Sequence, residues 1–404
     1  MREDGDYQDE YQDDEVKRPN TIRLAAGLLM MTMVLVTFGL TMLYSASSSD
    51  VTAAAAFFRN QLMWVGVGTV AGMAAFFGGF RFFCKRSWLW IAACALLLVW
   101  ARFSREINGA HRWIILGSFR FQPSELAKIA VALFVSWYCA EYLRTFNDMR
   151  RFRQGMWELA AGVGGIVLLI FWGDDMGTSV LVASMAFLTM FAGNLKWPYF
   201  LIPAGVLPLT VVFIRFYDPM RWGRMTIFMD PEAEKTKAGY QLWNSLLALG
   251  SGSWSGMGLN NSRLKASYLP EAHTDFIISI IGEELGYIGV LTVILAYILW
   301  GYFAFRIALT ARNRMGMLLG CALSLGVLFQ AIINLGVVSG LFPTKGMPAP
   351  FISYGGSNMV CSLLAVGFLV SVAMDAAVPD YPAKLLPQVR NLLKLGRREE
   401  YEEE

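Results

Sequence analysis

FIISIIGEELGYIGVLTVILAYILWGYFAF, residues 276–305, carries only two charges, Glu283 and Glu284, in thirty residues. A helix rises about 1.5 Å per residue, so about 20 apolar residues cross the hydrocarbon core of a bilayer, and this run is long enough to do so. Nine further runs read the same way, near 24–44, 60–79, 87–103, 125–143, 157–172, 177–194, 197–214, 315–341 and 353–377. The fifth and sixth of the ten are short and meet at Gly173-Asp174-Asp175. The pattern predicts an all-α integral membrane protein of about ten transmembrane helices, with a large extracytoplasmic loop before the eighth.

Composition agrees. Of the 404 residues 56% are hydrophobic and only 16% charged, with mean hydropathy +0.46. A soluble domain carries about a quarter charged residues, so the soluble classes are excluded. The five cysteines, Cys84, Cys94, Cys139, Cys321 and Cys361, have no metal-ligand spacing and read as small buried hydrophobes.

Loop charges set the orientation. Arg81, Lys85 and Arg86 follow the second span, Arg144, Arg150, Arg151 and Arg153 the fourth, and Arg306, Arg312 and Arg314 the eighth. They share a side with Lys17 and Arg18, which is then the cytoplasm, and ten spans place both termini there. Residues 1–22 read as a disordered acidic cytoplasmic tail, 23–377 as one membrane domain, and 378–404 as a cytoplasmic tail. In that last tail Leu385, Leu386, Leu392 and Leu393 alternate with Lys384, Arg390, Lys394, Arg397 and Arg398, a pattern suited to the anionic inner leaflet.

Two outer loops stand out. The first, 104–124, is basic, with Arg105, His111, Arg112 and Arg120. The second, 215–275, is long enough to suggest function. Within it Tyr240, Trp243, Leu246, Leu247 and Leu249 suggest a helix lying on the membrane surface.

Ionisable residues in or beside spans need a reason, because a charge at the bilayer centre costs about 3 kcal/mol. Pro123 begins a helix on which Glu125 and Lys128, three apart, share a face. They form either a self-neutralising ion pair or the lining of a polar cavity where Lys128 meets an anionic headgroup. Arg112 beside Trp113 either anchors the interface or offers its planar fork to a phosphate. In Pro270-Glu271-Ala272-His273-Thr274-Asp275-Phe276-Ile277, Thr274 or Asp275 suits a helix cap. A carboxylate at that entrance could equally accept a proton. One of Glu283 and Glu284 must face the protein interior, whereas Asp174 and Asp175 are expected to be solvated at an outer turn. The stretch Gly340–Ser357, with three prolines after Phe342, breaks the helical pattern on the outer face and implies a shaped cavity there.

Five of these motifs, Asn108–Trp113, Gln122–Lys128, Pro270–Ile277, Gly282–Gly286 and Pro348–Gly356, occur in an order that resembles the SEDS family of bacterial cell-wall polymerases, FtsW and RodA. The likeness covers about 20–378; Pro343-Thr344-Lys345-Gly346 and the long N-terminal tail look more like the FtsW branch, which acts in cell division, than the elongation branch. The chain departs from the family pattern at His111 and Asn358.

The resemblance implies a peptidoglycan glycosyltransferase that polymerises lipid II at the outer face of the cytoplasmic (inner) membrane. Glycan on undecaprenyl pyrophosphate is the implied donor and the lipid II 4-hydroxyl the acceptor, in an inverting single displacement. Asp275 is the implied general base, and Arg112, Lys128, Glu125, His273, Thr274, Glu283 and Ser353 the implied substrate-binding residues. A divalent cation, Mg or Mn, could share the pyrophosphate charge, though no dedicated ligand cluster marks a metal site. Implied partners are a class B penicillin-binding protein transpeptidase, other divisome proteins and membrane lipids, but no nucleic acid, with the septum as location. A lipid II flippase and a non-catalytic division scaffold are the alternatives. The flippase would need polar residues along the whole path, and the inner half of the spans is largely apolar.

Overall fold

The computed structural model describes residues 21–48, 51–106, 110–117, 119–146, 157–195, 215–216, 222–223, 228–232, 239–266, 272–378 and 381–385. Its helices are α1 (Thr21–Ala46), α2 (Val51–Gly78), α3 (Phe80–Lys85), α4 (Ser87–Arg102), α5 (Pro123–Phe146), α6 (Trp157–Trp172), α7 (Met176–Ala192), α8 (Tyr240–Ser251), α9 (Ile277–Leu309), α10 (Arg314–Val338) and α11 (Gly356–Ala377). A short antiparallel hairpin, β1 (Ile114–Leu116) and β2 (Phe119–Phe121), precedes α5 and pairs Ile115 with Arg120. Among the described residues five helices are long and apolar enough to cross a membrane: α1, Ala54–Gly78 of α2, α9, α10 and α11. Helices coincide with every expected span except the seventh, 197–214, which lies outside the described residues, as do the 1–20 tail and 386–404.

The outward faces are apolar, with Met33, Val70, Leu96 and Leu295 more than half exposed. Such a surface suits a hydrocarbon solvent, in which association depends on close packing rather than on hiding apolar groups. Glycines supply that closeness between α2 and α11. A Cβ on Gly72 would lie 2.8 Å from Leu363 O, and one on Gly367 2.6 Å from Gly72 Cα.

Polar structure gathers at the two ends. At the end assigned to the cytoplasm Arg81 pairs with Asp375 at 2.7 Å, and Phe80 N–H and Tyr381 Oη both donate to Ser371 Oγ. The other end, called outer here, collects the C-termini of α1, α4, α6 and α10, the N-termini of α2, α5, α7, α9 and α11, the hairpin and the 340–355 strap. α8 packs on the bundle through one face: Leu242, Ser245 and Ala248 are buried, and Ser245 Oγ, which donates to Val338 O at 2.8 Å, ties it to α10.

α9 is broken at Gly286, whose φ of 69° and ψ of −166° are open to glycine alone. The break frees two carbonyls and two amides, and the 252–258 loop takes all four. Met257 N–H donates to Glu283 O, Gly258 N–H to Glu284 O, Tyr287 N–H to Ser253 O and Ile288 N–H to Trp254 O. A buried polar backbone group left unpaired is costly, so loop and break stabilise one another.

Candidate active site at the outer end

The hairpin delivers the chain to α5, and two side chains at that junction converge on Asp175 with a backbone amide of α7. Gln122 Nε2 and Ser124 Oγ each donate to Asp175 Oδ2 at 2.9 Å, and Thr178 N–H donates to Oδ1 at 3.3 Å, so Asp175 caps α7. Gln122 N–H reaches Ser357 Oγ at 2.9 Å, joining α5 to α11. Asp175 is only 2% exposed, which corrects the expectation of a solvated turn. Burial alone would push its carboxyl up. The charges of Arg112 and Lys345, with the hydrogen bonds from Thr178 and Ser124, outweigh burial and hold it below its ordinary value. Arg112 itself is half-buried, and its Nε lies buried without a hydrogen-bond partner among the described residues. His111 Nδ1 lies 3.0 Å from Ser104 O, while Asn108 is outside the described residues.

One turn further into α5, Lys128 and Glu125 are both buried and pair at 2.7 Å, and Lys128 Nζ also donates to Gln330 Oε1. Gln330 Nε2 in turn donates to Pro348 O at 2.8 Å and Asn358 Oδ1 at 3.0 Å. The self-neutralising pair is therefore present, and it also supports the floor of the strap.

Asp275 lies one residue before the N-cap of α9, which is Phe276, so the cap position itself falls on a residue with no side-chain oxygen. The Asp275 carboxylate instead lies over Gly346: a Cβ there would stand 2.6 Å from Asp275 Oδ2. Asn334 Nδ2 fixes this register by donating to Asp275 O at 2.8 Å and to Met347 O at 2.7 Å. Lys345 extends the other way, its stem against Gly177 at the start of α7 and its charge acting on Asp175. His273 is half-buried between Phe57, 4.5 Å away centroid to centroid, and Tyr354, whose N–H donates to His273 O. Thr274, also half-buried, sits beside them.

Two expected site residues lie apart. Ser353 is fully buried and its Oγ accepts Ala349 N–H at 2.8 Å, so it shapes the strap, while Gln61 of α2 donates to Ser353 O at 3.1 Å and accepts from Gly355 N–H. Glu283 and Glu284 are both buried, where a single inward carboxylate was required. Glu283 accepts Ser262 Oγ–H and Arg263 N–H; Glu284 accepts Ser45 Oγ–H and pairs with Lys265 at 3.0 Å. These contacts pin the 252–266 loop. Sequence reading missed Gln330 and Asn334, although two amides four apart in an apolar helix mark one polar face. Among the described residues no group of three or more His, Cys, Asp or Glu side chains could hold a metal ion.

The arrangement is a half-buried carboxylate at a strap, two cations arranged about a buried counter-charge, and an ion pair below. Its chemistry suits proton acceptance at the carboxylate and attraction of an anion at the cations. Known proteins resemble the chain in sequence and in fold. The family model for cell cycle proteins of the FtsW, RodA and SpoVE type matches residues 26–377. Proteins named probable peptidoglycan glycosyltransferase FtsW are similar: that of Aromatoleum aromaticum is 37% identical over 389 residues, covering 92% of this chain and 93% of its own. That of Trichlorobacter lovleyi is 36% identical over 365 residues, covering 86% and 92%. A chain from a peptidoglycan synthase complex that coordinates polymerization and crosslinking superposes with TM-score 0.73 at 26% identity, covering 88% of this chain and 98% of that one. The rod shape determining protein RodA of Thermus thermophilus does so with TM-score 0.63 at 25% identity, covering 87% and 96%. This chain belongs to the FtsW/RodA/SpoVE family of cell cycle proteins.

Proposed function

We propose that this chain is a peptidoglycan glycosyltransferase of the division type, polymerising lipid II at the outer face of the bacterial inner membrane with Asp275 as general base. The observation that carries the assignment of the base is the Asp275 carboxylate at Gly346, one residue from the Lys345 cation, at the polar outer end. The names of the relatives support the activity, and the division role follows from their being FtsW proteins.

In the reaction Asp275 takes the proton of the lipid II 4-hydroxyl as that oxygen attacks the anomeric carbon of the donor glycan. The bond from that carbon to the pyrophosphate oxygen breaks, the electron pair leaves with undecaprenyl pyrophosphate, and the α-linked donor becomes a β-1,4 glycan. Arg112 and Lys345 face the departing charge, and Lys128, oriented by Glu125, supports the strap from below. His273 and Thr274 flank the base and meet the sugar. A divalent cation, Mg or Mn, would share the pyrophosphate charge when bound, although among the described residues no group of three or more His, Cys, Asp or Glu side chains marks a site for it.

Ten spans with both termini in the cytoplasm, counting 197–214 as the seventh, complete the topology. Lipid-anchored donor and acceptor then enter sideways between helices. The partner is a class B penicillin-binding protein transpeptidase, a reading supported by the likeness of the fold to a chain from a synthase complex that coordinates polymerization and crosslinking.

The test is glycan synthesis from lipid II by the purified chain with its transpeptidase. Asp275→Asn, shown to fold, should lower the rate by about 10²–10⁴, the usual worth of a positioned base. Equal polymer from both proteins would remove Asp275 from the chemistry. Lipid II translocation without polymer would establish the flippase instead, and neither activity the scaffold.

A further inference from the structure

Asp175 is a buried carboxylate at the outer end that the reaction above does not use. Its two oxygens are held by donors from two elements, Gln122 and Ser124 at the start of α5 and Thr178 at the start of α7, so it cannot swing. Two cations from two further elements act on it: Arg112 beside the hairpin and Lys345 on the strap. Room for the second is built in, because a Cβ on Gly177 would lie 2.9 Å from both Lys345 Cγ and Cε. Beyond Lys345 the strap continues to Gly346, against Asp275, and to Met347, whose carbonyl Asn334 holds.

Arg112 Nε is buried and unpartnered among the described residues, so this guanidinium keeps a donor for a ligand. Flexible cationic stems bind anions well only when something holds them in place beforehand. We infer that Asp175 is a positioning residue: a rigid counter-charge that aims Arg112 and Lys345 at a pyrophosphate group and, through Lys345, sets the strap against Asp275. This rests on the polymerase reading for the identity of the anion. Lys345, one of the residues behind the division-branch resemblance, thereby has a structural task.

Simple Coulomb attraction and positioning predict opposite signs. Deleting a negative charge should strengthen anion binding if Asp175 only dilutes the field. It should weaken binding if Asp175 aims the cations. The experiment uses the full chain with its transpeptidase and measures binding of inorganic pyrophosphate and of undecaprenyl pyrophosphate, alongside polymerisation. Asp175→Asn, close in shape, should weaken both ligands by about tenfold and lower kcat as well as raise KM for lipid II. Lys345→Gln should do the same, and the double variant should be no worse than either single one, because the two act as a unit.

Unchanged or tighter pyrophosphate binding in Asp175→Asn would overturn the inference, as would additive losses in the double variant. If Asp175→Asn fails to fold, Lys345→Gln decides, and wild-type affinity and rate there would sink the idea. If the wild type makes no polymer yet Asp175→Asn loses pyrophosphate, the polymerase reading fails while the anchor stands.

Discussion

Replacing Gly286 with alanine should release the 252–258 loop from α9 while leaving the helical bundle folded. Two costs arise at this position. The backbone sits at φ 69° and ψ −166°, where a residue with a Cβ is strained by about 1–3 kcal/mol. The new Cβ would also stand 2.5 Å from Trp254 O and closer still to Gly256 N, both backbone atoms that cannot rotate aside. Relief requires the loop to lift, breaking its four backbone hydrogen bonds to α9, each worth about 0.5–1.5 kcal/mol net. Keeping the loop docked thus competes with a penalty of about 1–3 kcal/mol plus a hard clash, and undocking with a loss of about 2–6 kcal/mol. The clash tips the balance toward undocking. Hydrogen exchange read by mass spectrometry checks this. Peptides holding Met257, Gly258, Tyr287 and Ile288 should lose protection in Gly286→Ala, and peptides from α10 and α11 should not. Gly66→Ala is the control, since no atom lies within 4 Å of its Cβ position, and it should be neutral or stabilising by up to about 1 kcal/mol. Undiminished protection of the loop amides in Gly286→Ala would refute the view that the break and the loop complete each other.

Lys128→Met should destabilise the protein by about 3–5 kcal/mol by leaving Glu125 buried without its cation, and adding Glu125→Gln should recover much of the loss; thermal unfolding in detergent measures both. Gly367→Ala should lower the unfolding temperature, costing about 1–3 kcal/mol, because its Cβ would meet the backbone of Gly72 and push α2 away from α11. Asp175 predicts a pH dependence. Its carboxyl is held below the ordinary 3.8, so its stabilisation is full above pH 3.8 and is lost as pH falls through the lower folded-state value. The stability difference between wild type and Asp175→Asn should therefore be constant from neutral pH down to about 5 and close only on strong acidification, as unfolding at a series of pH values would reveal.

The helices were legible because hydropathy reports the solvent directly. An apolar run of 20 or more residues has one physical explanation, and α1, α9, α10 and α11 lie where such runs predict. The helix ends were less legible, since a bilayer rewards apolar length but says little about where backbone turns. The tenth run was expected to start at 353, yet α11 begins at Gly356, because Ser353 spends its hydroxyl on Ala349 N–H to shape the strap. The break at Gly286 was hidden for a related reason. Its cause is a loop thirty residues earlier in the chain, and no local propensity announces that partner.

The site divides along the same line. Glu125 and Lys128 could be paired on paper because helical spacing alone brings them together, and they do pair. Asp175 could not be read that way. A carboxylate in a short turn between two spans is solvated by default, and only tertiary approach alters that. Gln122 and Ser124 come from about fifty residues before it, Arg112 from the hairpin, and Lys345 from 170 residues later. Sequence exposes a charged group whose partner is a helical turn away and conceals one whose partners are distant. Within the membrane such a group has to find distant partners, because water is not available to it. The acidic neighbours at 283 and 284 make the same point. Adjacent residues on a helix point about 100° apart, so one was expected to escape the interior. Both are buried because the 252–266 loop wraps the broken helix and brings Ser262, Arg263 N–H and Lys265 to them. Those carboxylates hold the outer loop and Asp175 is locked by donors from α5 and α7, whereas Asp275, half-buried over Gly346, is the carboxylate proposed as the base.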